Sequence, residues 1–361
     1  MPPITHITVS AYRIPTDAPE SDGTFEWDST TVVVVEVTAG DRAGLGYTYT
    51  HEAAAVLART TLADVVRGRD AMDVQGAWDA MNRQVRNVGR PGLASCAIGA
   101  VDAALWDLKA RLLGVPLVAL LGAVRDRVMA YGSGGFTSYD DGRLREQLGG
   151  WAAEGIRAVK MKIGREPGRD AARMRAARAA IGDAVALFVD ANGALGRKQA
   201  LRAAEEGAAC GVTWLEEPVS SDDLEGLRLL RDRAPAGMDI AAGEYGYEEF
   251  YFRRMLDAGA VDVLQADATR CGGITGLMRA GALCAARNIP LSAHTAPSLH
   301  AHPACALGAM RHVEHFHDHA RVERLLFDGA LAPVGGDLVP DRSRPGLGLE
   351  LRRADAARWA L

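Results

Sequence analysis

The chain has 361 residues, 48% of them hydrophobic, with a formal net charge of −5 and a pI near 6.0. That is enough apolar sequence for a large core, and it exceeds a bare β/α barrel of roughly 250 residues by about one small domain. An acidic balance without a lysine/arginine run excludes a nucleic-acid binder, and no apolar stretch is long enough to cross a bilayer. The first residues, Met1-Pro2-Pro3-Ile4-Thr5-His6, lack the charged and apolar regions of a signal peptide. Five scattered cysteines, Cys96, Cys210, Cys271, Cys284 and Cys305, read as reduced thiols, so a cytoplasmic location is expected. In chain order, strand patterning comes first, over residues 7–14 and 30–38, the latter around a run of valines. Helical patterning follows over 53–66, 74–85 and 93–113, which together make an α+β module up to about residue 125.

Past that module the first barrel-type strand is expected to open at residues 128–131. Gly132, Gly134 and Gly135 follow it but lack both the P-loop lysine and the Rossmann register. They read as a turn lining a substrate pocket, with Ser133 as a candidate contact. In the run Ala158-Val159-Lys160-Met161-Lys162-Ile163-Gly164, period two sends Val159, Met161 and Ile163 one way and both lysines the other. Alone, this would be an amphipathic strand with its lysines in water. Burying two ammoniums requires anionic partners or a lysine that gives up its proton.

The downstream acids supply those partners. Asp190, Glu216 and Glu244 each end a short apolar run at turn residues, at nearly equal intervals, separated by helical stretches such as 170–181, 197–209 and 224–233. This pattern describes parallel β/α units, whose C-terminal strand ends converge on one mouth of a closed barrel. Three carboxylates there make a hard oxygen-ligand site suited to Mg²⁺. Spacing does not choose between Glu216 and its neighbour Glu217, which point to opposite sides of the strand. The next two strand ends carry Asp267 and His294, a general-base pairing in which the carboxylate fixes the imidazole tautomer. Glu314 falls near the end of an eighth strand. His312, His315, His317 and His319 around it read as hydrogen-bonding groups rather than a second metal site.

These motifs, taken in order, resemble the enolase superfamily and, within it, the mandelate racemase subgroup. The resemblance runs over nearly the whole chain. It includes Val101-Asp102-Ala103-Ala104-Leu105-Trp106-Asp107, Val189-Asp190-Ala191-Asn192, Trp214-Leu215-Glu216-Glu217-Pro218, Gly243-Glu244, and Asp267 with Gly272-Gly273-Ile274-Thr275-Gly276. It implies an α/β fold: a modified (β/α)7β TIM-type barrel over residues 126–326. An N-terminal α+β capping domain would span 1–125, and a tail, 327–361, would pack back on the cap. It selects Asp190, Glu216 and Glu244 as ligands of one Mg²⁺ per subunit. Lys162 and the His294–Asp267 dyad become acid/base catalysts on opposite faces of the substrate. Lys160 becomes a donor to the substrate carboxylate and Glu314 a hydrogen-bonding electrophile there. Asn192 and Arg270 are expected at the substrate. Capping loops at 17–27, with Phe25, Glu26 and Trp27, and at 46–51, with Tyr47, Tyr49 and His51, are expected to set specificity, with Arg90 as a further contact. A homo-oligomer is implied as well.

The implied chemistry is abstraction of the proton α to a carboxylate through an enediolate. Lys162 must be neutral to act as a base, and neighbouring Lys160 and the metal are expected to lower its pKa. The expected reaction is dehydration of a sugar acid to a 2-keto-3-deoxy acid. Racemisation, epimerisation and cycloisomerisation share the same intermediate. A non-catalytic relative would have lost Lys162, His294 or a metal acid, and a metal-dependent aldolase or hydrolase would not need two lysines facing a His–Asp pair. The expected partner is a small carboxylate, preferably a monoacid, because neither capping loop contains a lysine or arginine to meet a second carboxylate.

Overall fold

In the structure, a computed structural model that describes residues 2–361, an antiparallel sheet precedes a closed parallel barrel. The sheet consists of β1 (Ile4–Ser21), β2 (Glu26–Ala39) and β3 (Arg42–Tyr49). The valine run of β2 is buried on both faces, and alternation divides it between two cores. Val33, Val35 and Val37 pack with the helical layer of the cap, whereas Val32 and Val34 join the core that continues into the barrel. The helix Leu93–Leu113 lies against the first face, where β3 presents Gly44 and Gly46. A Cβ on Gly46 would sit 2.2 Å from the Ala100 carbonyl oxygen, so helix and strand backbones touch only because that side chain is missing. Gly46→Ala is therefore expected to lower stability by about 1–3 kcal/mol, as overpacked sites do. Gly150→Ala, in the helix Asp141–Ala153 with open space around it, should be neutral or mildly stabilising. Urea unfolding of both variants checks the pair, and equal midpoints would contradict the contact.

Eight strands form the barrel: β4 (Val128–Gly134), β5 (Ala158–Lys162), β6 (Ala186–Asp190), β7 (Val212–Glu216), β8 (Asp239–Ala242), β9 (Val263–Ala266), β10 (Leu291–Ala293) and β11 (Met310–Phe316). All neighbours are parallel, and pairing of β11 with β4 closes the ring. Tyr131, Phe188 and Trp214 fill the interior together with His312, which leaves a packed floor rather than a pore. The eighth strand runs into the helix His317–Leu326, whose Glu323 accepts a hydrogen bond from Tyr47 of the cap at 2.6 Å. The tail returns to the cap through Asp107: its two carboxylate oxygens accept the backbone N–H groups of Leu45 and Leu347.

Both expected capping loops are mostly strand. The stretch 17–27 is a hairpin whose turn is only Asp22–Phe25, where Asp22 accepts the backbone N–H groups of Thr24 and Phe25. The register slips between Pro15 and Glu20, which leaves Pro19, lacking an N–H, outside the ladder. Likewise β3 continues to Tyr49, so only Thr50 and His51 project beyond it.

Candidate active site

The register of the parallel strands brings the charged side chains to one level. Lys162 pairs with Asp190, and Asp190 with Glu216, as direct neighbours across β5, β6 and β7. Glu244 follows β8 after Gly243, whose φ is +137° and whose Cβ would meet the Gln265 carbonyl at 2.1 Å. Only glycine lets the chain pass β9 there. Asp190, Glu216 and Glu244 are buried, and each offers a carboxylate oxygen within 4.8 Å of the others. Oε2 of Glu244 is buried without a hydrogen bond. An all-oxygen cluster of three carboxyl groups with an unsatisfied acceptor fits a hard divalent cation such as Mg²⁺. A second grouping, Asp17, Glu20 and His317, is already compensated: His317 lies 3.0 Å from Asp17, and Arg143 approaches the same carboxylate at 3.4 Å.

Two lysines neutralise the cluster from below. Lys160 Nζ lies 2.5 Å from Glu216, 2.9 Å from Glu314 and 3.5 Å from Asp190, and Lys162 Nζ lies 2.5 Å from Asp190. Burial disfavours the Lys162 ammonium, but the Asp190 carboxylate outweighs it and holds the pKa above the ordinary lysine value. This corrects the expected lowering. Lys160 does oppose the charge, yet the carboxylates dominate, and a dication sharing them would remove much of their pull.

His294 stands on the far side of the mouth. Its Nδ1 lies 2.9 Å from Asp267, and its Nε2 lies 3.4 Å from Glu244 and 3.8 Å from Glu314. Burial lowers its pKa, but Glu244, Glu314 and Asp267 more than offset that and raise it above the ordinary value. Asp267 also accepts the Thr269 backbone N–H at 2.7 Å, so the dyad's carboxylate is fixed from behind. Thr295, a β-branched residue at φ +52°, donates its backbone N–H to Glu314 and its hydroxyl to Asp267. That strained residue locks the two acids around His294. His300 braces the same turn, accepting the Ala268 N–H at 2.8 Å and bonding the Thr295 carbonyl at 2.8 Å.

A cavity of about 580 Å³ opens over these groups. Its wall includes Lys162, Asp267, His294 and Glu314, and, of the expected substrate contacts, Trp27, His51, Asn192 and Arg270. Tyr47 and Ser133 are not on it. Tyr47 is fully buried one pleat below the rim, bonded to Glu323 and packed on Phe327 at 4.9 Å, so Tyr49 takes the rim position instead. Ser133 is fully buried, next to Glu314. Arg90 is also elsewhere, pairing with Glu248 at 3.6 Å. Arg270 is held 3.1 Å from Glu244. The sequence names Tyr49 in the capping loop beside Tyr47 without separating their positions, and it misses Thr295, His300 and the particular role of His319.

Residues 7–122 match the family described as the mandelate racemase / muconate lactonizing enzyme N-terminal domain, and residues 143–356 match the enolase C-terminal domain-like family. A solved mandelate racemase/muconate lactonizing enzyme-like protein from Rubrobacter xylanophilus is 57% identical. It covers 100% of both chains with a TM-score of 0.98. The 3,6-anhydro-alpha-L-galactonate cycloisomerase of Streptomyces coelicolor is 33% identical over 97% of this chain and 98% of its own. L-talarate/galactarate dehydratase from Salmonella typhimurium LT2, solved with Mg and L-lyxarohydroxamate, is 29% identical, with a TM-score of 0.90 over 99% of this chain and 93% of its own.

Proposed function

Because the chain belongs to the mandelate racemase / muconate lactonizing enzyme family of the enolase superfamily, we propose that it dehydrates a sugar acid to a 2-keto-3-deoxy acid. One observation carries this reading: the acidic cluster is bracketed by two proton-transfer groups, Lys162 at 2.5 Å from Asp190 and His294 at 3.4 Å from Glu244. They stand at the ends of the second and seventh barrel strands, so a substrate carboxylate seated between them exposes its α-carbon to one group on each face. Enolase-superfamily sites are a known setting for a Lys or His base beside Mg²⁺. Held by Asp190, Glu216 and Glu244, Mg²⁺ would supply Lewis-acid stabilisation of the charge that builds on the substrate carboxylate.

The chain's own groups divide the remaining work. Lys162 Nζ takes or returns the α-proton on its face. His294 does so through Nε2 on the other, since Nδ1 is committed to Asp267. His294, carrying a proton that its acidic neighbours favour, is also the acid for a departing β-hydroxyl. Lys160, expected as a donor to the substrate carboxylate, is fully buried off the cavity wall and holds Glu314 ionised from 2.9 Å together with His294, so Glu314 on the wall is the one of the two that meets the substrate end of the site. We also place the protein in the cytoplasm, a reading supported by five free, buried cysteines, and as a homo-oligomer, on family grounds. Among the described residues no helix is long and apolar enough to cross a membrane.

The expected result is a semicarbazide-reactive 2-keto acid from a sugar acid with Mg²⁺ present, and solvent deuterium at the α-carbon of recovered substrate. Cycloisomerisation is the second reading, favoured by the end-to-end match to the Streptomyces cycloisomerase. Deuterium uptake without keto acid would point to cycloisomerisation or epimerisation in place of dehydration, and no uptake with any acid would sink every one of these readings.

A further inference from the structure

His319 is the one member of the histidine cluster around Glu314 that reaches the cavity wall, and the machinery above does not use it. Its ring stacks on Tyr49 with centroids 3.5 Å apart and 15° between planes, and meets Phe316 edge-on at 5.1 Å. The Tyr49 hydroxyl donates to the His319 carbonyl at 3.3 Å, so cap and barrel clamp each other at this point. Nδ1 is buried without a partner, which leaves Nε2 as the polar atom toward the cavity. A buried orphan N–H costs more than a buried orphan lone pair, so the proton belongs on Nε2, where it can be donated to a ligand. Burial, with His294 and Arg270 nearby, pushes its pKa down to about 3, and the ring is a neutral donor.

The surrounding wall agrees with an uncharged guest. Ser29, Thr31 and Thr50 line it beside Trp27 and Tyr49. The strong cations on the wall are already engaged, Lys162 with Asp190 and Arg270 with Glu244. A second substrate carboxylate would thus lose its hydration without gaining a free cation.

We propose that His319 is a specificity-determining residue that donates a hydrogen bond to a tail hydroxyl of a monocarboxylic polyol, so the site prefers an aldonate over an aldarate. This rests on the sugar-acid reading above. The test compares kcat/KM, and Kd from tryptophan fluorescence, for a six-carbon aldonate, its 5- and 6-deoxy forms and the matching aldarate. His319→Phe keeps the stack on Tyr49 and removes the donor. Wild type should favour the aldonate over one deoxy form by about tenfold or more, as sites built to bond a hydroxyl do, and His319→Phe should erase that preference. His319→Gln, which restores a donor, should recover part of it. His319→Arg should shift the ratio toward the aldarate by about tenfold. Equal losses on all four acids in His319→Phe, or a wild type faster on the aldarate, would overturn the inference while leaving the sugar-acid reading intact. Absence of turnover and of α-proton exchange in wild type on every acid would remove both.

Discussion

Lys162→Ala and His294→Asn should each reduce turnover by about 10²–10⁴-fold or more, the range lost when a positioned acid or base is removed. Their placement makes the two losses unlike each other. Lys162 lies at the end of β5 and His294 just past β10, across the mouth, so in the proposed reaction each would serve one face of the α-carbon. Dehydration needs both a base at the α-carbon and an acid at the β-hydroxyl, so losing either stops product. Exchange of the α-proton with solvent needs only one. In D₂O, one variant should therefore still exchange deuterium into an acid of the stereochemical series that its surviving group serves. Proton NMR of recovered substrate reads this directly. Comparable exchange in both variants for a single enantiomer would mean that the two groups share a face, which would defeat the assignment. Asp267→Asn should resemble His294→Asn more weakly, because the amide disturbs the tautomer that the 2.9 Å Nδ1 contact selects.

The metal-site variants should have effects as large. Asp190→Asn, Glu216→Gln and Glu244→Gln should each be nearly inactive, and chelation of wild type should stop turnover. Each removes a hard ligand and with it several kcal/mol of transition-state charge stabilisation. Folding should survive chelation, because the carboxylates have protein partners: Lys160 and Lys162 on one side, Arg270 and His294 on the other. Circular dichroism of the chelated protein should stay native-like. The informative contrast is Glu217→Gln. Glu217 is buried at φ +37° beyond the strand end, and burial with Glu244 and Asp190 nearby drives its pKa well above the ordinary range. Glu217 is outside the cluster of Asp190, Glu216 and Glu244, so its amide should leave Mg²⁺ affinity by titration calorimetry within about tenfold of wild type, a shift no larger than about 1.4 kcal/mol. A wild-type-like Glu216→Gln beside a metal-free Glu217→Gln would exchange their roles.

Much of this site is legible in the sequence, and the reason is geometric. A parallel β/α unit sends its strand to the same mouth every time, so a charged residue closing an apolar run is placed by local sequence alone. That argument covers Lys162, Asp190, Glu244, Asp267 and His294, and it narrows the remaining acid to Glu216 or Glu217. It fails where position depends on how far a strand runs before it turns. Tyr47 and Tyr49 share a face of β3, and both are aromatic. Only the height of the barrel rim decides that the first bonds Glu323 and the second meets the cavity. The hairpin around Asp22 misleads for a similar reason. Its prolines and acidic residues look like a loop, yet a bulge absorbs Pro19 and the strands continue.

The sequence by itself determined the chemical inventory and its order around the barrel, because strand alternation and β/α periodicity are local properties of the chain. Tertiary structure alone decided which charges compensate one another and which cap residues face the cavity. Those outcomes depend on distances of a few ångströms between segments far apart in the chain. His319 against Tyr49, joined by stacking across the cap–barrel boundary, is one such contact that no spacing in the sequence encodes.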